Sequence, residues 1–169
     1  MNNIQTNLFH NPQVDNNKSC QLENFVSLPV ITLWQPWASF ISLGWKTIET
    51  RTHKKFECLL FNKIGIHAGN KWDKDWQELA GDYLDSTQIR YTQNEINFGF
   101  LIGAWKGKIL CTTQVIDFYR LTSSNSKKAL IDCRHEAGRY GLFLDYIKPI
   151  QPIPVKGRQG IWYYSTEAS

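Results

Sequence analysis

The sequence predicts an α+β domain in which a small, mainly antiparallel β-barrel is flanked by helices. Three observations support this fold class. β-branched runs indicate five or six strands, helical periodicity is clear in two stretches, and strands and helices do not alternate regularly. Irregular connections between strands favour a sheet that closes on itself. The 169 residues are 42% hydrophobic and 14% aromatic, enough for one packed core, which argues against a disordered or fibrous chain.

The N-terminal part differs in composition from the rest. Residues 1–27 are rich in Asn and Gln and lack apolar periodicity, so we expect a flexible tail there and one folded domain over residues 28–169. The first residues lack the basic and apolar regions of a signal peptide, and no stretch approaches the roughly 20 apolar residues of a membrane span. We therefore expect a cytoplasmic protein with no membrane partner.

The cysteines give no sign of a metal or a cofactor. Cys20, Cys58, Cys111 and Cys133 are far apart, and none forms a pair with Cys or His at the spacing of metal ligands. An even number leaves disulfides possible, but reduced thiols are the expectation without a signal peptide. We predict no metal site and no cofactor.

The first predicted elements are a strand, a short helix and a second strand. Residues 28–33 are a β-branched run typical of a buried strand. Pro36 suits the first turn of a helix and Gly44 suits a left-handed cap after it, which predicts a helix over residues 36–43. Alternation over residues 47–51 predicts the next strand. A polar connection separates it from a further strand, or bent pair of strands, over residues 59–68.

The second half of the domain continues this pattern. An apolar stripe predicts a helix packed on the core, with its members at i, i+4, i+7, i+8 and i+11: Trp72, Trp76, Leu79, Ala80 and Tyr83. Residues 85–99 fit a helix or a loop, residues 103–118 are the longest strand signal, and residues 119–137 resemble a loop with room for one helical turn. Two further strands are predicted over residues 140–145 and 160–163. Three prolines between these strands, at positions 149, 152 and 154, favour an extended path away from the centre of the sheet.

The most informative segment for function is Gly44-Trp45-Lys46-Thr47-Ile48-Glu49-Thr50-Arg51. In an extended strand, Glu49 and Arg51 share one face, and Lys46 at the preceding turn can swing over it. Arg51 offers a planar fork for phosphate or carboxylate, Lys46 a mobile charge, and Glu49 an acceptor for either cation or for a base edge. An ordinary Glu–Arg ion pair beside a solvated lysine would fit the same string.

The segment also resembles a known family. Leu33-Trp34-Gln35-Pro36-Trp37-Ala38-Ser39-Phe40-Ile41, followed by Gly44-x-Lys46-x-x-Glu49-x-Arg51, is similar to the signature of the ASCH domain, a branch of the PUA-like superfold. The GxKxxExR motif is matched at every fixed position. Ile66-His67-Ala68 and the run from Ile153 to Trp162 extend the resemblance, which spans roughly residues 29–163.

The resemblance implies a PUA-like barrel of five or six strands. It also implies a cleft between the barrel and its first helix, lined by the GxKxxExR residues. Members are thought to bind RNA or other nucleic acid, and some are hydrolases with acetylcytidine deacetylase or ribonuclease activity. The acetylcytidine enzymes use a lysine, a threonine three residues later and a later glutamate. This chain has Glu49 at the threonine position, and Thr47 and Thr50 are out of register, which weakens the case for this amide hydrolysis.

Other candidate residues lie near the motif and at the end of the chain. Trp34 and Trp37 suit stacking on a base or packing in the core, and Gln35 suits a base edge or the helix N-terminus. Thr47 is a further candidate ligand-binding residue within the motif. His67 fits the cleft or a hydrogen-bonded structural role. Lys156 and Arg158 belong to a glycine-containing turn that suits phosphate contacts or plain solvation.

Together these residues predict a protein that binds nucleic acid or a modified nucleotide. The modest net charge of +4 agrees with an anionic ligand without identifying one. The expected partners are single-stranded RNA or DNA, or a modified nucleotide. The alternative is a small hydrolase, a ribonuclease or acylated-nucleoside amidohydrolase, in which Lys46 and Glu49 would be catalytic. Burial would lower the pKa of Lys46 and allow it to act as a base, whereas the adjacent carboxylate would raise the pKa and keep Lys46 charged.

Overall fold

The computed structural model describes residues 26–133 and 138–166, which form one sheet and its flanking helices. The tail expected over residues 1–27 lies outside the described residues except for its last two, which begin the first strand. The strands are β1 (Val26–Gln35), β2 (Ile48–Arg51), β3 (Lys63–Trp72), β4 (Lys108–Arg120), β5 (Tyr140–Pro154) and β6 (Ile161–Thr166). The helices are α1 (Trp37–Ser42), α2 (Trp76–Ala80), α3 (Ser86–Gln93), α4 (Glu95–Trp105) and α5 (Ser126–Ala129). Single 3-10 turns occupy Lys54–Leu59, Gly81–Tyr83 and Ser123–Asn125.

The six strands pair in the order β2-β5-β4-β3-β1-β6. Every neighbouring pair is antiparallel except β1 and β3, which are parallel, so the sheet is mixed. The predicted α+β class and the mainly antiparallel pairing are confirmed. The predicted closure into a barrel is not seen, because no ladder joins β2 to β6 within the part of the chain that the structure describes.

The sheet is nevertheless strongly bent. The register between β4 and β5 shifts at three points along their length, and the ladders of β3 with β1 and with β4 each shift once. Such bulges bend a strand and increase its twist. As a result, residues from the edge strand β2 and from the turn before the opposite edge strand β6 line the same cleft.

Two hydrophobic clusters contain residues of α1, the helix that precedes the site. The larger one fills the space between the sheet and α1, with Ile41 and Ile66 among its fully buried members. The second is aromatic: the Phe40 ring lies 5.4 to 6.1 Å from the rings of its aromatic neighbours, among them Trp76 and Phe98. Trp72 packs against this cluster as well, so the core role predicted for Trp72 and Trp76 is confirmed.

Most differences from the predicted elements lie at their ends. The helix predicted from residue 72 begins at Trp76, because β3 extends through Trp72. Residues 85–99 are helical: Asp85 accepts from the backbone N–H groups of Thr87 and Gln88 in a capping box. The strand predicted from residue 103 begins at Lys108, after α4 ends.

The three prolines lie within β5, which continues to Pro154 instead of ending near residue 145 as predicted, but they lie away from the centre of the sheet as predicted. β2 pairs only with Tyr140–Phe143, so the part of β5 that contains Pro149, Pro152 and Pro154 has a ladder on one side only. None of the helices formed by residues 26–133 and 138–166 is both long and apolar enough to cross a bilayer.

Candidate functional site

The connection between α1 and β2 determines where Lys46 lies. Gly44 has a φ of +75°, the left-handed conformation that glycine adopts without strain, as its predicted role as a cap requires. The backbone N–H groups of Trp45 and Lys46 both donate to the carbonyl of Phe40, at 2.8 and 3.1 Å. These bonds turn the chain sharply, so that Lys46 enters the protein interior immediately before β2 begins.

The alternation of β2 places Glu49 and Arg51 on one face, as predicted. Ile48 faces the other way and is fully buried in a cluster with Leu121 and Ala129. Glu49 lies between the two cations, with 3.4 Å from its Oε1 to the Arg51 guanidinium and 3.7 Å from its Oε2 to Lys46 Nζ. We call Lys46, Glu49 and Arg51 the charge cluster.

The charge cluster is almost dry. Lys46 is 3% exposed, Glu49 6%, and the Arg51 side chain 21%. Lys46 also donates to the carbonyl of Ala129. One carboxylate therefore serves two cations in a place that water barely reaches, which leaves one positive charge without a formal counterion in the cluster.

Aromatic rings and burial set the electrostatics of these cations. Lys46 Nζ lies 5.4 Å from the centroid of the Trp37 ring, and Arg51 Cζ lies 4.4 Å above the Phe56 ring. Burial lowers the pKa of Lys46, Glu49 opposes this effect, and Arg51 adds to it. The Arg51 Nε–H is buried without a partner, a donor that a ligand in the cleft can satisfy.

The charge cluster lies in the wall of a cleft of about 1280 Å³. Among the described residues, seven Lys or Arg side chains line this cleft, against two carboxylates, those of Glu49 and Asp73. The cleft thus has an excess of five positive charges, whereas the whole chain has a net charge of +4. We call it the basic cleft. Its cationic residues are Lys46, Arg51, Lys55, Lys71, Arg139, Lys156 and Arg158.

The structure brings most of the predicted site residues together in the basic cleft. Its lining includes Trp34, Trp37, Lys46, Glu49, Arg51, His67, Lys156 and Arg158. Gln35 and Thr47 do not line it. Gln35 is fully buried, and its Oε1 accepts from the Ser39 hydroxyl at 2.8 Å and from the Ser39 backbone N–H. Thr47 precedes β2 and lines a separate recess of about 290 Å³.

The two tryptophans of the motif have different surroundings. Trp34 is 50% exposed, and Lys71 Nζ lies 5.1 Å from the centroid of its ring. Trp37 is half-buried against the aromatic cluster, and its indole N–H donates to Asp73 Oδ2 at 2.8 Å. The sequence left two roles open for both tryptophans, stacking on a base and packing in the core. In the structure, Trp34 has an open ring face that suits stacking, whereas Trp37 mainly packs around Lys46.

His67 is held within the fold. It is 2% exposed, its Nε2 lies 3.0 Å from the Val155 carbonyl, and its ring packs edge-on against Trp162. A carbonyl oxygen only accepts, so Nε2 carries a hydrogen in this contact. Burial lowers the pKa of His67, which favours the neutral ring, in which Nδ1 has no hydrogen.

Sequence reasoning missed four described charged residues of the basic cleft: Lys55, Lys71, Asp73 and Arg139. Lys71 had a detectable signal, because it follows His67 by four residues and an extended β3 places both on one face. For Arg139 and Asp73 there was no local signal. Each lies next to a strand end, and only the bending of the sheet brings it into the cleft.

No family model matches the chain. Among solved structures, it is similar to ASCH from Zymomonas mobilis, at 15% identity and a TM-score of 0.43, with 75% of this chain and 72% of that chain covered. Two single-substitution mutants of the same Zymomonas mobilis protein, also at 15% identity and with 75% of this chain covered, match with TM-scores of 0.44 and 0.45, over 74% and 73% of their chains.

Proposed function

We propose that this protein binds single-stranded nucleic acid, RNA in the first place, or a modified nucleotide, in the basic cleft. The observation that carries the proposal is the charge distribution: the cleft lining has a larger positive excess than the entire chain. A concave surface of one sign concentrates ligands of the opposite sign. Phosphate groups meet this requirement, and Lys and Arg are the residues that neutralise them.

The size of the cleft favours an extended ligand. Small-molecule sites usually enclose about 300–1,000 Å³. At about 1280 Å³ the basic cleft exceeds that range, so it has room for more than one nucleotide. Trp34 offers one exposed ring face at the cleft, with Lys71 beside it. Stacking of an unpaired base on such a ring contributes roughly 1–3 kcal/mol and tolerates any base sequence.

The charge cluster adds a polar recognition element to this surface. With Arg51 Nε–H unpartnered and Lys46 nearly dry, an anionic group of the ligand would supply the missing negative charge and acceptor. The ASCH resemblance of the motif is consistent with this role, because members of that family are thought to bind nucleic acid.

The proposal is tested by titrating a short fluorescein-labelled single-stranded RNA with the protein over a range of salt concentrations. The logarithm of affinity should fall linearly with the logarithm of salt. Arg158→Ala removes one exposed cation of the cleft and should reduce the magnitude of that slope by about 0.7. The matched control is Lys148→Ala, an exposed cation outside the cleft lining, which should bind like the wild type. Affinity that is independent of salt, or equal effects of the two variants, would contradict the proposal.

A hydrolase remains the second candidate, supported by the burial of Lys46 at 3.7 Å from Glu49, because that burial lowers the pKa of Lys46. A neutral lysine beside Glu49 is able to act as a general base, with Arg51 stabilising negative charge as it develops. Incubation with a labelled RNA and a panel of acetylated nucleosides separates the two functions. Turnover that is lost in both Lys46→Ala and Glu49→Ala favours the hydrolase, and binding without turnover favours the binding protein.

A further inference from the structure

The turn before β6, residues 155–160, carries two of the exposed cations of the basic cleft. Lys156 and Arg158 flank Gly157, and all three residues line the cleft. We call this segment the basic turn. It has no strand or helix of its own, so contacts with the rest of the fold must hold it in place.

Val155 fixes the start of the basic turn through both of its backbone polar groups. Its N–H donates to the carbonyl of Gly107 at 3.0 Å, and its carbonyl accepts from His67 Nε2 at 3.0 Å. His67 lies in β3, a central strand of the sheet, and is almost completely buried. The first residue of the turn is therefore tied to a buried side chain of a central strand.

Gly157 rests directly on the His67 ring. A Cβ atom built at position 157 would lie 2.3 Å from His67 Cε1 and 2.6 Å from Nδ1, closer than such atoms approach in proteins. It would also lie 3.0 Å from Thr32 Oγ1. The glycine is needed here for close approach, and its absence of a side chain lets the turn lie flat against the imidazole.

Trp162, the second residue of β6, completes the arrangement. The Trp162 indole N–H donates to Thr32 Oγ1 at 3.0 Å, and its ring contacts His67 edge-on with 5.7 Å between ring centroids. The basic turn is thus held before, at and after Gly157 by one set of side chains around His67.

We propose that His67 is a positioning residue that fixes the basic turn, so that Lys156 and Arg158 face the phosphates of a bound strand. This inference rests on the proposed function. His67 itself has no ring nitrogen to offer the ligand: Nε2–H is used by Val155, and Nδ1 is buried beside Gly157. His67 therefore acts on the ligand through the turn. The sequence left open whether His67 belongs to the cleft or has a structural role, and this proposal combines the two.

The experiment compares Gly157→Ala in two backgrounds, the wild type and Lys156→Ala/Arg158→Ala, with the same labelled RNA. In the wild-type background, the added methyl group should displace the turn from His67, weaken binding about fivefold and reduce the salt slope by about 1.4, at about 0.7 per lost phosphate contact. In the double-alanine background, Gly157→Ala should have no further effect, because the cations it would displace are already gone. His67→Leu should reproduce the result in both backgrounds.

Hydrogen exchange without RNA gives an independent readout. The Val155 amide, which donates to Gly107, should exchange faster in Gly157→Ala and in His67→Leu. Gly103→Ala is the matched control, since position 103 lies in α4, outside the cleft, with open space for a Cβ. This variant should leave exchange at Val155 and RNA affinity unchanged.

The outcomes distinguish the inference from the proposed function. If the wild type binds RNA and Gly157→Ala binds equally well, or loses the same affinity in both backgrounds, His67 and Gly157 do not act through the two cations and the inference is overturned. If the wild type does not bind the RNA at any salt concentration, the proposed function fails and the inference with it, even where exchange at Val155 responds as expected.

Discussion

Replacement of Glu49 by Gln is the most direct perturbation of the charge cluster. Gln keeps the shape of the side chain and removes the one negative charge that Lys46 and Arg51 share, at 3.7 and 3.4 Å. In the variant, two cations remain within the same nearly dry region, and no carboxylate within hydrogen-bonding distance of Lys46 is left among the described ion pairs. We expect the variant to fold with reduced stability.

The structure sets the size of this loss. Breaking a buried ion pair by removing one partner costs about 3–5 kcal/mol. Arg51 is partly exposed and can turn toward water in the cleft, so we expect the lower end, about 3 kcal/mol at neutral pH. For a chain of this length, each kcal/mol lowers Tm by about 2–4 °C, which predicts a decrease of roughly 6–12 °C.

The loss should depend on pH in a defined direction. Burial lowers the pKa of Lys46 below its ordinary value of 10.5, and Glu49 opposes that effect, so its removal lowers the pKa further. At pH values between the lowered pKa of Lys46 in the folded chain and 10.5, the unfolded chain holds a proton at Lys46 that the folded chain has released. Stability therefore rises with pH in this window, and the deficit of Glu49→Gln relative to wild type should shrink as pH rises through it.

Urea unfolding at neutral and alkaline pH measures both effects. Glu57→Gln is the matched control, because Glu57 is an exposed carboxylate outside the cleft lining, and it should change stability by less than about 0.5 kcal/mol. Lys46→Met/Glu49→Gln should recover part of the loss, since it removes one of the two stranded cations. A Glu49→Gln variant as stable as the wild type, with the same pH profile, would refute the idea that the cluster is dry.

Two further predictions concern the core. Gly141→Ala should destabilise the protein by about 1–3 kcal/mol in urea unfolding, because its Cβ would lie 2.6 Å from Leu121 and 2.8 Å from Ile48; Gly81→Ala, with open space, should not, and equal effects would contradict this account. Iodoacetamide should label Cys58, which is exposed, and spare Cys111 until the protein unfolds, because burial raises the pKa of the Cys111 thiol to about 12. Mass spectrometry of the labelled protein identifies the modified cysteines. Labelling of Cys111 in the folded protein would contradict the prediction and show that its strand opens.

Features that depend on neighbouring residues were predictable from the sequence. The helix end at Gly44 follows from its left-handed cap, and the shared face of Glu49 and Arg51 follows from the period of two in a strand. The helix over 72–83 was misplaced at its start, because a continuous apolar pattern does not show where β3 ends and α2 begins. Propensity is weak there compared with the hydrogen bonds that β3 makes along its ladders.

The cleft depended on contacts between distant parts of the chain. No local pattern reports that β1 pairs parallel with β3, or that bulges bend the sheet until Arg139 and Lys156 line one surface. The sequence therefore predicted four of the seven described cations around the cleft, but not Lys55, Lys71 and Arg139.

The amino-acid order by itself determined that a lysine, a carboxylate and a guanidinium occur together, because cap and strand geometry act over a few residues. The tertiary structure alone decided how strongly these groups interact. The dielectric around Lys46 depends on Trp37 and on the Ala129 carbonyl, 83 positions further along the chain. Solvation is a property of everything that packs around a charge, so it is settled only when the whole domain has folded.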